Sequence, residues 1–283
     1  MDRARITSVA ASLAIALFFC APAFAQTLQI GGEWAPIRSE DNFDNPAVGE
    51  YMGLPLSEEG LMRAEVWDAS IQSELEYQCR PHTAAYLSRG PSPMRIIPEE
   101  DPQTKEIIAY HLRWRAGGDR VIYMNGRAHP SKNAPHRWEG FSTGRWEGDI
   151  LVVTTTHIKE GYVRRNGAPH SDMATLTNYL IRRGEILTWV IVTYDPVYLT
   201  EPLIRSTEYR FRHTPQEVFP CWPLQEVDRP NGVIPHHLPP AGNPDLREFG
   251  ERFEIPYEAT RSGAPGMYPE YIETLRKLRG ARQ

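Results

Sequence analysis

Of the nine histidines in this 283-residue sequence, seven stand beside proline or glycine or at the end of a β-forming run. They are His82, His129, His136, His157, His170 and the adjacent pair His236-His237. Neutral imidazole is the commonest metal ligand, and loops on a rigid β scaffold are where such ligands are gathered. The spacing predicts that His136, His157 and one of His236 or His237 line a single cleft. His136, His157 and His236 are the candidate ligands of a divalent metal, with Glu160 or Glu139 completing a site open to an activated water. Against this reading, the chain has no HExxH pattern, and neighbouring histidines on an extended segment point opposite ways. The competing expectation is that each ring bonds a loop carbonyl. Ser142, Thr155, Asp149 and Asp172 are further acid–base or nucleophilic candidates, but no GxSxG elbow surrounds Ser142, and Asp149 reads as the cap of its own turn.

Arg145-Trp146, Tyr162 and Arg164-Arg165-Asn166 offer bidentate donors and ring faces that suit a carboxylate or a sugar. Trp67 and Trp189 lie in apolar patterns and read as core. Trp138 and Trp222, set among proline, histidine and glycine, read as pocket walls. The predicted pocket therefore comprises His136, His157, His236, His237, Glu160, Trp138 and Arg145, and its partner is a small organic molecule.

Short β-forming runs must position these groups. Ile107 to Trp114, Arg120 to Met124, Phe141 to Trp146, Ile150 to His157, Thr175 to Ile181, Ile186 to Tyr194 and Leu203 to Arg212 alternate with turn signals such as Asn125-Gly126, Glu147-Gly148-Asp149 and Arg183-Gly184. The connections are too short for crossover helices. The expectation is a mainly β fold, an antiparallel meander closing into a barrel or sandwich, with short flanking helices and Pro-rich wraps. On the run Ile150 to His157, the residues Leu151, Val153, Thr155 and His157 share one face, which would aim His157 into the mouth of a barrel. Ser57-Glu58-Glu59 opens a capped amphipathic helix, and Glu270 to Leu278 reads as another. The 25 prolines concentrate at residues 91 to 102 and 215 to 244.

Arg3 and Arg5, the uncharged run Ile6 to Ala21, and Ala23-Phe24-Ala25 have the order of an export signal cut before Gln26. The apolar run is shorter than the ~20 residues that a spanning helix needs. The domain reading is a signal at 1–25, an N-terminal extension with one helix at 26–105, a β core at 106–213, and a Pro-rich wrap with a C-terminal helix at 214–283; residues 26–283 form a single domain that is periplasmic or secreted. Cys79 and Cys221, the cysteines that remain after Cys20 leaves, are expected to pair in an oxidising compartment. A net charge of −5 argues against nucleic acid or an anionic membrane as the main partner.

Gly32-Glu33-Trp34 is similar to the GxW start of a lipocalin strand, which makes the expected barrel lipocalin-like. The strings Gly53-Leu54-Pro55-Leu56, Cys79-Arg80-Pro81-His82, Tyr123-Met124-Asn125-Gly126-Arg127-Ala128-His129-Pro130, Gly144-Arg145-Trp146-Glu147-Gly148-Asp149 and Pro235-His236-His237-Leu238-Pro239 together resemble a family of exported bacterial proteins over most of the mature chain. The resemblance implies export and one shared architecture, and it brings no activity, cofactor or catalytic residue with it. Three functions fit the sequence: a small-molecule-binding β protein with a Trp- and His-lined pocket, a metal- or His-dependent hydrolase or lyase, and an envelope structural or assembly protein.

Overall fold

The computed structural model describes residues 30–37, 46–68, 81–90, 92–115, 118–217, 231, 237–239 and 241–281. The export signal, Cys79, Cys221, His236 and Trp222 lie outside them. The described chain runs β1 (Gly32–Pro36), α1 (Glu58–Glu65), α2 (Ala84–Leu87), β2 (Met94–Glu100), β3 (Ile107–Trp114), β4 (Asp119–Tyr123), β5 (Phe141–Glu147), β6 (Ile150–Thr156), β7 (Gly161–Tyr162), β8 (Pro169–His170), β9 (Thr175–Arg183), β10 (Ile186–Tyr194), β11 (Leu203–Arg212), α3 (Glu248–Arg252), α4 (Tyr257–Thr260) and α5 (Tyr271–Gly280).

Nine strands close a barrel in the order β1-β11-β10-β9-β6-β5-β4-β3-β2, and β7 and β8 form a separate two-stranded sheet. Side chains alternate along each strand, as the pleat requires. On β10, Leu187, Trp189, Ile191 and Thr193 are buried while the residues between them are only partly covered. The inward rows build a core of Trp34, Met94, Ile96, Tyr110, Leu112, Trp114, Ile122, Leu151, Leu180, Trp189, Tyr209 and their neighbours. Trp34, on the lipocalin-like tripeptide, is fully buried and donates its indole N–H to the Ile30 carbonyl at 2.8 Å.

Two features depart from the sequence expectation. The sheet is not wholly antiparallel: β4 and β5 pair in parallel through Ile122–Ser142 and Tyr123–Thr143, because residues 124–140 carry the chain back to the end of the barrel it had just left. The barrel also takes two strands from the predicted N-terminal extension. β2 was hidden by the proline-rich stretch at 91–102, yet Pro98 sits beyond Ile96, the last β2 partner of β1, where a missing amide donor costs no ladder bond on that side.

The end of the barrel at which β6 stops and β9 starts is covered by a second layer. Helix α1 is capped as expected, with Ser57 Oγ accepting from the Gly60 amide at 3.0 Å. Helix α2 joins the layers: Leu87 belongs to the barrel core, and Ala84 and Ala85 pack into a second cluster with Leu54, Ile158, Val163, Leu176 and Leu203. No helix among the described residues is long and apolar enough to cross a membrane.

Candidate functional site

The segment joining β4 to β5 brings three histidines together on the outer wall of the barrel. His129 Nε2 and Nδ1 lie 2.8 Å from Thr143 Oγ1 and Thr156 Oγ1. Thr156 Oγ1 is also 2.7 Å from His157 Nδ1, and His157 Nε2 is 2.8 Å from the Ser131 carbonyl. A carbonyl only accepts, so His157 carries its proton on Nε2 and its Nδ1 accepts from the Thr156 hydroxyl. Thr156 in turn accepts from His129 Nδ1–H, and Thr143 donates to His129 Nε2. With neutral rings, one direction of proton donation satisfies every atom of this chain. Burial, helped by the nearby His157, holds the His129 imidazole below its ordinary pKa, consistent with that neutral state. The His136 ring lies 5.3 Å from that of His157, and its Nδ1 donates to the Ile158 carbonyl at 2.9 Å.

These contacts occupy the rings that the metal expectation called on; its third member, His236, lies outside the described residues. Both nitrogens of His157 are engaged by protein, one of His136 is, and no group of three metal-ligating side chains occurs among the described residues. His157 also does not point into the mouth. The strand ends at Thr156, His157 turns to a left-handed φ of 57°, and its ring joins Thr156, whose side chain lies opposite the inward Thr155.

The other predicted pocket residues disperse. Glu160 faces Arg63 at 3.3 Å and Tyr198 at 3.5 Å. Arg145 is exposed and paired with Glu147 at 2.6 Å. Trp138 packs on the cluster of Val48, Trp67, Tyr86 and Tyr162, with the Lys159 ammonium 4.8 Å from its ring centre. His237 meets Trp67 edge-on at 5.7 Å. Arg164 pairs with Glu50 at 2.7 Å, and Asn166 is buried on the Glu50 carbonyl, so this run ties loops together. His82 and His170, each next to a proline in the sequence, are buried. His170 donates from Nδ1 to the Ser171 carbonyl at 3.1 Å, and its Nε2 accepts from Thr83 Oγ1 at 2.8 Å.

A cleft of about 550 Å³ opens instead where β3, β4 and β5 meet the covered end of the barrel. Pro81, Arg95, Arg113, Trp114, Arg115, Gly118, Asp119, Glu139, Gln216 and Glu217 line it. Its size falls within the ~300–1,000 Å³ of small-molecule sites. Arg95 pairs with Glu33, and Arg113 with Asp119 at 3.3 Å; the exposed Arg115 side chain has no ion pair among the described residues. Glu139 lies close to Asp119. Burial and then the Asp119 charge push its carboxyl above the ordinary range, against backbone amides and Arg137, which pull it down.

Next to this cleft, inside the barrel, lies the residue that the sequence reading missed. Arg120 is 1% exposed. Its Nε donates to Ser142 Oγ at 3.1 Å and its Nη2 to Thr155 Oγ1 at 2.7 Å, the two hydroxyls being 2.9 Å apart. Its guanidinium carbon lies 5.8 Å from the centre of the Trp189 ring. Burial, opposed by the Glu139 charge, lowers its pKa to about 10, so it stays cationic at neutral pH. A signal was present: strand alternation puts Arg120 on the inward row with Ile122. Ser142 and Thr155, suggested as catalytic groups, serve here as acceptors for this cation.

No family model, curated protein or solved structure matches this chain.

Proposed function

We propose that this chain is an exported β-barrel that binds a small, partly apolar organic molecule in the cleft at the covered end of the barrel. The cleft itself carries the reading: Trp114 supplies an aromatic wall and Arg113, Arg115 and Glu139 supply directional polar groups around it, the composition of a site that orients an organic ligand. Arg3, Arg5, the apolar run after them and Ala23-Phe24-Ala25 support export. The histidines contribute by fastening the 124–140 segment, which supplies Glu139, to the barrel wall.

Native mass spectrometry of the protein incubated with a small-molecule cell extract tests this. A bound mass is expected for the wild type and is expected to be lost or several-fold weaker in Arg115→Glu. No adduct, or an adduct indifferent to Arg115→Glu, would refute it.

One observation favours a second reading, a hydrolase or lyase working by acid–base chemistry. Glu139 keeps its proton more readily than an ordinary carboxyl and faces the cleft beside Asp119, which is how enzymes prepare a general acid. Under that reading Glu139→Gln binds ligand as well as the wild type but turns none over.

A further inference from the structure

Among the described residues, three buried donors stand unpaired in the interior beside the cleft, and one buried acceptor, Gln216 Oε1, stands unpaired in the cleft wall. Arg120 Nη1, Trp114 Nε1 and the Tyr110 hydroxyl are all buried and have no hydrogen-bond partner among the described residues. All three come from the inward rows of β3 and β4, where Leu112 pairs with Arg120 and Tyr110 with Ile122. Arg120 and Trp114 also meet a common neighbour, since Trp189 lies 5.8 Å from the guanidinium and 6.0 Å from the Trp114 ring. A buried donor left unpaired loses the hydration it had in water, and a buried charge loses far more. Ser142 and Thr155 satisfy Nε and Nη2 but carry no charge, and no carboxylate lies within ion-pair distance of Arg120 among the described residues. Trp114 is the bridge to the outside, because it belongs both to the barrel core and to the wall of the cleft.

We propose that the cleft's ligand is an organic acid whose carboxylate is received by Arg120 Nη1, with the Trp114 indole N–H as second donor. The inference rests on the cleft reading and names the ligand's chemistry. A carboxylate supplies what Arg120 Nη1 and Trp114 Nε1 lack, an oxygen acceptor in hydrogen-bond contact. Ser142 and Thr155 take the Nε proton and one Nη2 proton, which leaves both Nη1 protons and the second Nη2 proton for a carboxylate. A dianionic phosphate would bring more charge and more lone pairs than this single cation and its neighbours can match. The apolar remainder of the acid then lies outward, against the face of Trp114.

The test uses wild-type protein and matched pairs of acid and amide: benzoate with benzamide, and acetate with acetamide, at neutral pH and constant ionic strength. The nitrogen–proton resonances of Arg120 Nε and of the Trp114 indole report the interior, and that of Arg115 Nε reports the outer cleft. The acids should shift Arg120 and Trp114 saturably, with at least a ten-fold tighter apparent Kd than their amides. If acid and amide move Arg115 alike while Arg120 and Trp114 stay fixed, the cleft binds small molecules and the carboxylate assignment is overturned. If no resonance moves with any probe, the cleft reading falls with it. Arg120→Gln, where it folds, should bind benzoate no better than benzamide; an undiminished preference for the acid would also overturn the assignment. Where that variant fails to fold, the wild-type titration decides alone.

Discussion

Replacing Thr83 by valine isolates one buried hydrogen bond. Thr83 is 1% exposed and His170 fully buried, and valine has nearly the shape of threonine, so the exchange opens no cavity. It removes the only donor to His170 Nε2 among the described residues, and the lone pair is then stranded, because Nδ1 already gives its proton to the Ser171 carbonyl. A buried acceptor left without a donor costs about 1–3 kcal/mol. At roughly 2–4 °C per kcal/mol for a domain of this size, Thr83→Val should lower Tm by about 2–12 °C, read by thermal melting at pH 7.5, whereas Thr83→Ser should keep most of the bond. The same ring sets a pH dependence. Burial holds the His170 imidazole below its ordinary pKa, against the Ser171 carbonyl and Asp195, which raise it, and His129 is lowered by its own burial and by His157. The unfolded chain therefore binds protons that the folded one refuses. Stability from these two rings is complete above the unfolded value of about 6.5 and is lost as pH falls from there through the folded pKa values. Urea midpoints measured between pH 7.5 and 5 should fall steadily. A Thr83→Val protein that melts with the wild type, or midpoints that do not change with pH, would show that this buried pair contributes nothing.

Thr156→Val removes the hydroxyl that joins His129 to His157, at about 1 kcal/mol per bond; the 124–140 segment should open more often, and trypsin should cut after Arg127 or Lys132 on the order of ten-fold faster. Gly167→Ala asks for a side chain at φ 85° with its Cβ 2.4 Å from that of Trp67, so a loss of about 3 kcal/mol or more is expected from equilibrium unfolding. Peptide mapping without reduction should recover Cys79 and Cys221 as one linked pair; two alkylatable thiols would contradict it.

Much of the scaffold was legible because strand signals are local. The alternation in Ile186–Tyr194 and the Gly148 and Gly184 turns, at φ 63° and 62°, declare strands and hairpins without help from the rest of the chain. What was not legible depends on distant partners. Met94–Glu100 is a strand because β1 and β3 lie on either side of it, and its proline is harmless only because β1 stops short. The histidines mislead for a related reason. A residue beside proline or at a strand end can face solvent or fold under a loop, and the choice at His170 is made by Thr83, 87 positions earlier. Arg120 obeys the alternation rule on the inward row with Ile122, but the hydroxyls of Ser142 and Thr155 that receive its charge come from strands distant in sequence.

The parallel pairing of β4 with β5 has a consequence for how the ring can come apart. A closed circle of nine members cannot alternate up and down all the way round, since an odd number always leaves two like neighbours together. One mismatched seam is thus a matter of parity, and this chain places it where only two residue pairs join the strands. Every other junction in the ring has at least three pairs. The seam is where the cylinder should part first, and Arg120 and Glu139 lie at its edge.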